Sequence, residues 1–342
     1  MRYPDFLPDG GTIGFIAPSF GNATEPYISM FNNALLKFKG MSYNLLEGPN
    51  ARCGKGIGKS NTPEACADEI NDFFINKRSD VIISCGGGEL MCEDLDFVDF
   101  AGLKKAVPTW FMGYSDNTNL TFLLPTICDT AAIYAPCAGT FGMEPWHPAI
   151  RDAFDLLCGK KLSFSSYDGW ESEELKSPEN PLIPYNINEK YSQTVAGNRD
   201  KAKAFEGRLI GGCLDCLVNL VGTRFDRVKE FNRRYADEGI IWFIESCDLN
   251  VMSVRRALWH MENAGWFENV KGFLVGRPYL YNDSFGDFDM NDAVTGILSK
   301  YDVPIILGMD LGHRPPMIPI VSGAYAKVSA GDNSVTVEHI LK

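Results

Sequence analysis

Thr109-Trp110-Phe111-Met112-Gly113-Tyr114-Ser115-Asp116-Asn117-Thr118-Asn119-Leu120 is an apolar run followed at once by a cluster of small polar residues. The run Trp110–Met112 predicts a buried strand, and Leu120 to Cys128 predicts a helix behind it. A serine at a strand-to-helix turn presents its hydroxyl at the mouth of a sheet, beside a helix N-terminus that favours developing negative charge. Ser, Asp, Asn and Thr are also the usual helix N-caps, so on this stretch alone capping is the weightier reading of Ser115 and Asp116. The choice depends on whether the rest of the chain supplies a base and an acid to orient it.

Working outward, strand-like and helix-like segments alternate on both sides. Gly11–Ser19 is a short apolar strand ending in small residues, and 25–39 carries Ile28, Phe31, Leu35 and Phe38 at helical spacing. Tyr43–Leu46 follows as a strand. Thr62-Pro63-Glu64 predicts a helix start, with Thr as cap and Pro at the first position, running to about Lys77. Asp80-Val-Ile-Ile-Ser-Cys-Gly-Gly-Gly88 is a buried strand entering a glycine turn, and Ala131–Pro136 and 148–158 complete the series. Such alternation predicts an α/β fold with βαβ units and a parallel sheet.

Residues 163–206 break the rhythm with polar, Pro- and Asn-rich sequence. The expected division is therefore 1–160, an N-terminal α/β domain; 161–206, a long loop or linker; and 207–342, a C-terminal domain. The last of these has strand-like runs at Gly239–Glu245, Val270–Gly276, Val303–Leu307 and Ile318–Val328, and a helix at about Met252–Asn263.

Composition narrows the class of function. A chain of 342 residues can hold two cores, and 45% hydrophobic with 22% charged residues is ordinary for a globular protein. A net charge of −12 argues against nucleic acid and against an anionic membrane surface. The N-terminus shows no apolar signal segment and no stretch approaches a membrane span, so a cytoplasmic location is the default expectation. The ten cysteines are scattered through apolar segments and read as reduced core thiols. Cys213-Leu-Asp-Cys216 is the one Cys-x-x-Cys pair; without a nearby histidine it argues against zinc and supports a redox role only weakly.

A general base for a serine would be a histidine, and there are four: His147, His260, His313 and His339. His260 sits on a helical pattern, and His339 is placed where termini fray. His147 follows Pro145-Trp146 in a loop and stays a candidate. His313 lies in Gly308-Met-Asp-Leu-Gly-His-Arg-Pro-Pro316, a loop stiffened by two prolines after a strand; a hydrogen-bonded structural histidine is an equal reading. Glu245 is the acid candidate, a charge appearing where an apolar strand should end. Gly86-Gly87-Gly88 would offer backbone amides for an oxyanion or, less well, for a phosphate, since no Gly-x-Gly-x-x-Gly follows. Gly54–Ser60 lacks the first glycine of a P-loop and reads as a mobile basic loop, and Cys85 reads as core.

These residues together resemble the LD-carboxypeptidase family of serine peptidases, which includes the muramoyl-tetrapeptide carboxypeptidases and the microcin C self-immunity proteins. Gly113-Tyr-Ser-Asp-Asn-Thr118 resembles its Gly-x-Ser-Asp-x-Thr elbow. Gly14–Ser19, Cys85–Gly88, Gly207–Gly212, Phe243–Glu245, Val270–Pro278 and Gly312-His313 follow in family order. The resemblance implies a parallel-sheet N-terminal domain, a smaller β-rich C-terminal domain, a Ser115–His313–Glu245 triad, no metal or organic cofactor, and a homodimer. It also implies an oxyanion hole from about Gly87–Gly88 and the Asp116 amide. The chain departs from the family's pattern at Glu89 and at Cys213, where Asn is common.

Two substrate classes follow from the resemblance. The first is a cytoplasmic murein peptide ending in a D-amino acid, whose carboxylate needs a cationic clamp such as Arg314. The second is an aminoacyl-nucleotide-like amide, which needs an aromatic platform. For that role Trp170 is the one tryptophan in 163–206, with Tyr167, Tyr185 and Tyr191 as rivals. A non-catalytic small-molecule binder on a doubly wound sheet is the reading from another class.

Overall fold

In the computed structural model, residues 1–331 and 333–342 are described. They form two compact units, Met1–Lys161 with Glu173–Asn186, and Leu162–Ser172 with Ile187–Lys342. No helix among the described residues is long and apolar enough to cross a membrane.

The first unit carries β1 (Thr12–Ile16), β2 (Asn44–Glu47), β3 (Val81–Ser84), β4 (Trp110–Gly113) and β5 (Ala132–Tyr134). They pair in parallel in the order β2-β1-β3-β4-β5. Strands β3, β4 and β5 are buried along their whole length, which is why they read as continuous apolar runs and not as alternating ones. On one face Ile70, Phe73 and Phe74 of the helix Pro63–Ile75 pack with Ile82, Phe111 and Leu124. Elsewhere in the unit Phe15, Phe31, Phe38, Phe141 and Phe154 form a chain of ring contacts. Thr62 caps the helix Pro63–Ile75 as its sequence predicts, accepting from the Ala65 amide.

Two local expectations change. The helix behind the elbow is broken into Ser115–Asn117, Thr118–Thr121 and Leu123–Cys128. Pro125 has no N–H to return to Thr121, so the ladder cannot run through. The basic loop before Ser60 is anchored, since Lys59 is 3% exposed and pairs with Glu93 at 2.8 Å and Asp94 at 3.0 Å.

The second unit is built on an eight-stranded sheet, its strands taken from β6 (Ser163–Ser165), β9 (Thr194–Gly197), β10 (Phe205–Cys213), β11 (Ile240–Glu245), β12 (Val270–Gly276), β13 (Pro304–Met309), β15 (Tyr325–Gly331) and β16 (Ser334–Ile340). The order is β6-β16-β15-β10-β11-β12-β13-β9. The four central strands β10 to β13 are parallel, and antiparallel strands extend both edges. The short strands β7 (Gly169–Trp170) and β8 (Glu189–Lys190) pair separately. The run expected as one strand over Ile318–Val328 is two, β14 (Ile320–Ser322) and β15, because Gly323 turns the chain at φ +88°.

Candidate functional site

In the first unit β4 delivers the chain through an extended Tyr114 into Ser115, which has φ +64°. A β-carbon-bearing residue in the left-handed region costs roughly 1–2 kcal/mol, so the surroundings must hold it there. The Ser115 amide donates to the Tyr134 hydroxyl at 3.2 Å. The next side chain turns inward. The buried Asp116 carboxylate accepts from Ser19 Oγ at 2.5 Å, from the Met91 amide at 2.9 Å and from Asn119 Nδ2 at 3.1 Å. Burial raises the Asp116 pKa against the pull of these bonds.

The glycine turn lies directly against the elbow. A β-carbon on Gly87 would stand 3.1 Å from Ser115 Cβ and 3.2 Å from Oγ, so a larger residue there would crowd the serine side chain. Asn117 Nδ2 donates to the Gly86 carbonyl at 2.8 Å and ties the turn to the elbow. Cys85 is buried, and burial pushes its thiol well above the usual range.

In the second unit Glu245 ends β11 and is 1% exposed. Its Oε2 lies 2.7 Å from His313 Nδ1, with the imidazole side chain 13% exposed. Nδ1 therefore donates to the carboxylate, which leaves Nε2 as the acceptor nitrogen of a neutral ring. Burial disfavours the imidazolium, but the Glu245 charge and the hydrogen bond with Cys247 outweigh it and hold the His313 pKa well above the ordinary value. Gly312 makes the approach possible. At φ +92° its β-carbon would be 2.4 Å from Glu245 Oε2.

A cavity of about 260 Å³ in the same unit is lined by Glu245, Trp170, Arg277, Tyr281, Leu258 and Met290 among others. Trp170 stands edge-on to Tyr281 at 5.0 Å, with the Arg277 guanidinium 5.2 Å from its ring. Of the four loop aromatics singled out above, Trp170 is the one lining this cavity; Tyr185 belongs to the first unit and contacts His147. Arg314 donates from Nε to the Tyr279 carbonyl at 3.0 Å and from Nη1 to the Ser172 carbonyl at 2.7 Å.

The other histidines have structural partners or face solvent. His147 caps the helix Pro148–Leu157, accepting from the Ala149 amide at 3.1 Å. His339 is not frayed. It is 2% exposed in β16, its Nε2 accepts from the Val321 amide, and its Nδ1 consequently donates to the Leu162 carbonyl at 3.1 Å. His260 is exposed.

Glu245 and His313 are thus brought together, 68 residues apart in sequence, and Ser115 is placed with Gly87 in the other unit. Sequence reasoning missed the surroundings of the pair. Cys213 ends β10 as the register partner of Glu245, so both side chains sit at the same end of neighbouring parallel strands. Cys247 follows β11 by two residues and contacts His313. A charge and two cysteines at strand ends were a visible signal, but their partner across 100 residues was not.

Two family models match the chain, the LD-carboxypeptidase N-terminal domain over residues 13–135 and the LD-carboxypeptidase C-terminal domain over 206–328. The microcin C7 self-immunity protein MccF of Escherichia coli is 24% identical over 97% of this chain and 94% of its own length. The "Probable murein peptide carboxypeptidase" of Bacillus subtilis is 25% identical over 98% of this chain and 94% of its own. Among solved structures, MccF in complex with aspartyl sulfamoyl adenosine superposes with a TM-score of 0.82 at 21% identity, covering 100% of both chains. An MccF-like protein from Streptococcus pneumoniae in complex with AMP gives 0.78 at 22% identity, covering 96% of this chain and 98% of that one.

Proposed function

Because this chain belongs to the LD-carboxypeptidase family, we propose that it is a serine peptidase cleaving the amide next to a terminal D-amino acid of cytoplasmic murein peptides, with Ser115, His313 and Glu245 as its triad. The observation that carries the reading is the 2.7 Å bond between His313 Nδ1 and Glu245 Oε2, which fixes the tautomer a base requires. Ser115 Oγ attacks the carbonyl carbon and its proton passes to His313 Nε2. The oxyanion is held by the Asp116 amide and an amide of Gly87 or Gly88. Nε2 then protonates the departing amino group, leaving an acyl-serine. Water, deprotonated by the same nitrogen, releases the new carboxylate and restores Ser115. Arg314 is the proposed clamp for the terminal carboxylate. A homodimer in the cytoplasm completes this reading.

A second substrate class is favoured by one observation. Trp170 lines a cavity next to Glu245, where an aromatic face could take a nucleobase of an aminoacyl-nucleotide-like amide. The purified protein should be assayed on a murein tetrapeptide and on an aminoacyl sulfamoyl nucleoside, each with Ser115→Ala and Trp170→Ala. Ser115→Ala is expected to abolish both activities. Trp170→Ala is expected to raise KM for the nucleoside substrate alone. Turnover surviving in Ser115→Ala removes the proposed nucleophile.

A further inference from the structure

The Cys-x-x-Cys pair argued against zinc in the sequence because no histidine stood near it. The fold supplies one. Cys213 Sγ, a Glu245 carboxylate oxygen and a ring nitrogen of His313 all lie within 4.8 Å of one another. Cys213 and Glu245 are 2% and 1% exposed, so the carboxylate and the thiol share a desolvated corner. Two further free thiols border it, Cys216 hydrogen-bonded to Cys213 and Cys247 hydrogen-bonded to His313.

We propose that Cys213, Glu245 and His313 form a binding site for a thiophilic divalent cation of the zinc class, and that occupancy switches the hydrolase off. Sulfur, imidazole and carboxylate together are a donor set suited to zinc, and bond lengths of about 2.0–2.3 Å in a tetrahedral site put ligand atoms roughly 3.3–3.8 Å apart. Closing from the observed spacing needs side-chain shifts on the order of 1 Å. The fourth position falls to water or to the Cys247 thiol.

The cost to catalysis follows from proton positions. Binding expels the Cys213 thiol proton to solvent. A cation on Nδ1 of His313 displaces its proton to Nε2, and a cation on Nε2 takes that nitrogen's lone pair directly. Either way Nε2 can no longer accept a proton from Ser115. Glu245 is also drawn from the imidazole to the metal. The inhibitory half of this inference rests on the proposed function, whereas the metal site does not.

The test uses the full-length protein with Co2+ as the spectroscopic probe and Zn2+ as competitor. Wild type is expected to bind one Co2+ with a near-ultraviolet thiolate charge-transfer band and tetrahedral visible bands, both bleached by one equivalent of Zn2+. Ser115→Ala should bind identically, since Ser115 donates no ligand; this separates metal binding from hydrolysis. Cys213→Ala should lower affinity by at least about 100-fold, the upper end of what losing only an outer partner does. Cys213→Ser, checked for native circular dichroism, guards against a folding defect. On whichever substrate turns over, Zn2+ should inhibit wild type reversibly to chelator, with the half-inhibiting concentration raised by a similar factor in Cys213→Ser. A folded wild type without a thiolate band, or a band that persists unchanged in both Cys213 variants, overturns the site. Zn2+ binding without inhibition overturns the switch alone.

Discussion

Gly312 leaves no room for a side chain above Glu245: its β-carbon would fall 2.4 Å from Oε2 and 2.6 Å from the glutamate's own Cβ. The glycine that permits φ +92° is therefore also the one that lets the His313 loop lie over the acid. Gly312→Ala should cost about 1–3 kcal/mol in chemical denaturation. Hydrolysis should fall by roughly 100-fold through misplacement of the imidazole on the order of 1 Å. An alanine variant with native kinetics would show that the loop does not need this contact.

Ser115 makes the opposite kind of prediction. Its φ of +64° is strain that a glycine would not feel. Ser115→Gly should remove activity and at the same time raise the stability of the protein by roughly 1 kcal/mol. Equilibrium unfolding in urea measures the second effect independently of any substrate. Loss of stability in this variant would mean that the hydroxyl contributes more than the backbone strain costs.

Replacing Glu245 by Gln keeps the size of the side chain and removes the charge. The expected loss in kcat is about 10⁴-fold, the scale seen when a triad acid becomes an amide and the wrong tautomer results. The pH profile should move as well. His313 must be neutral to act as base, and in wild type the Glu245 charge keeps its pKa raised despite burial. Without that charge burial is opposed chiefly by Cys247, so the acid limb of kcat/KM should shift to lower pH. The corresponding stability has a fixed sign. A histidine whose folded pKa is raised contributes stability below its unfolded value, near 6.5, and loses it as pH rises through the folded one.

His339 titrates in the other direction. Burial pushes its pKa down to about 4, so its neutral ring stabilises the fold above about 6.5 and that stability is lost as pH falls towards 4. The full effect is on the order of 3 kcal/mol. His339→Gln should flatten the acid limb of stability between these values, read from denaturation midpoints at stepped pH. A slope identical to wild type would assign acid sensitivity to other groups.

What the sequence made legible, and what it hid, divides along physical lines. Strands β3, β4 and β11 are buried on both faces and announce themselves as apolar runs. Strand β10 does not, because Gly207, Gly211 and Gly212 leave it few side chains to pattern. The helix Met290–Leu298 carries its own sequence signal, since Asp289 and Asp292 form a capping box at its start. Ser115, Glu245 and His313 could each be singled out from local context. The nearness of Cys213 to His313 could not, since it is decided by the strand register that sets Cys213 beside Glu245 and by a loop returning from 100 residues away.

The elbow's moorings also bear on when it can exist. Besides the neighbouring Asn119, contacts that hold Ser115 and Asp116 come from Ser19, Met91 and Tyr134, three points spread along the first unit. The strained serine cannot be set until the last of them has left the ribosome, and the imidazole comes some 180 residues later. A half-made chain therefore lacks part of the set of contacts that holds Ser115 in its left-handed conformation.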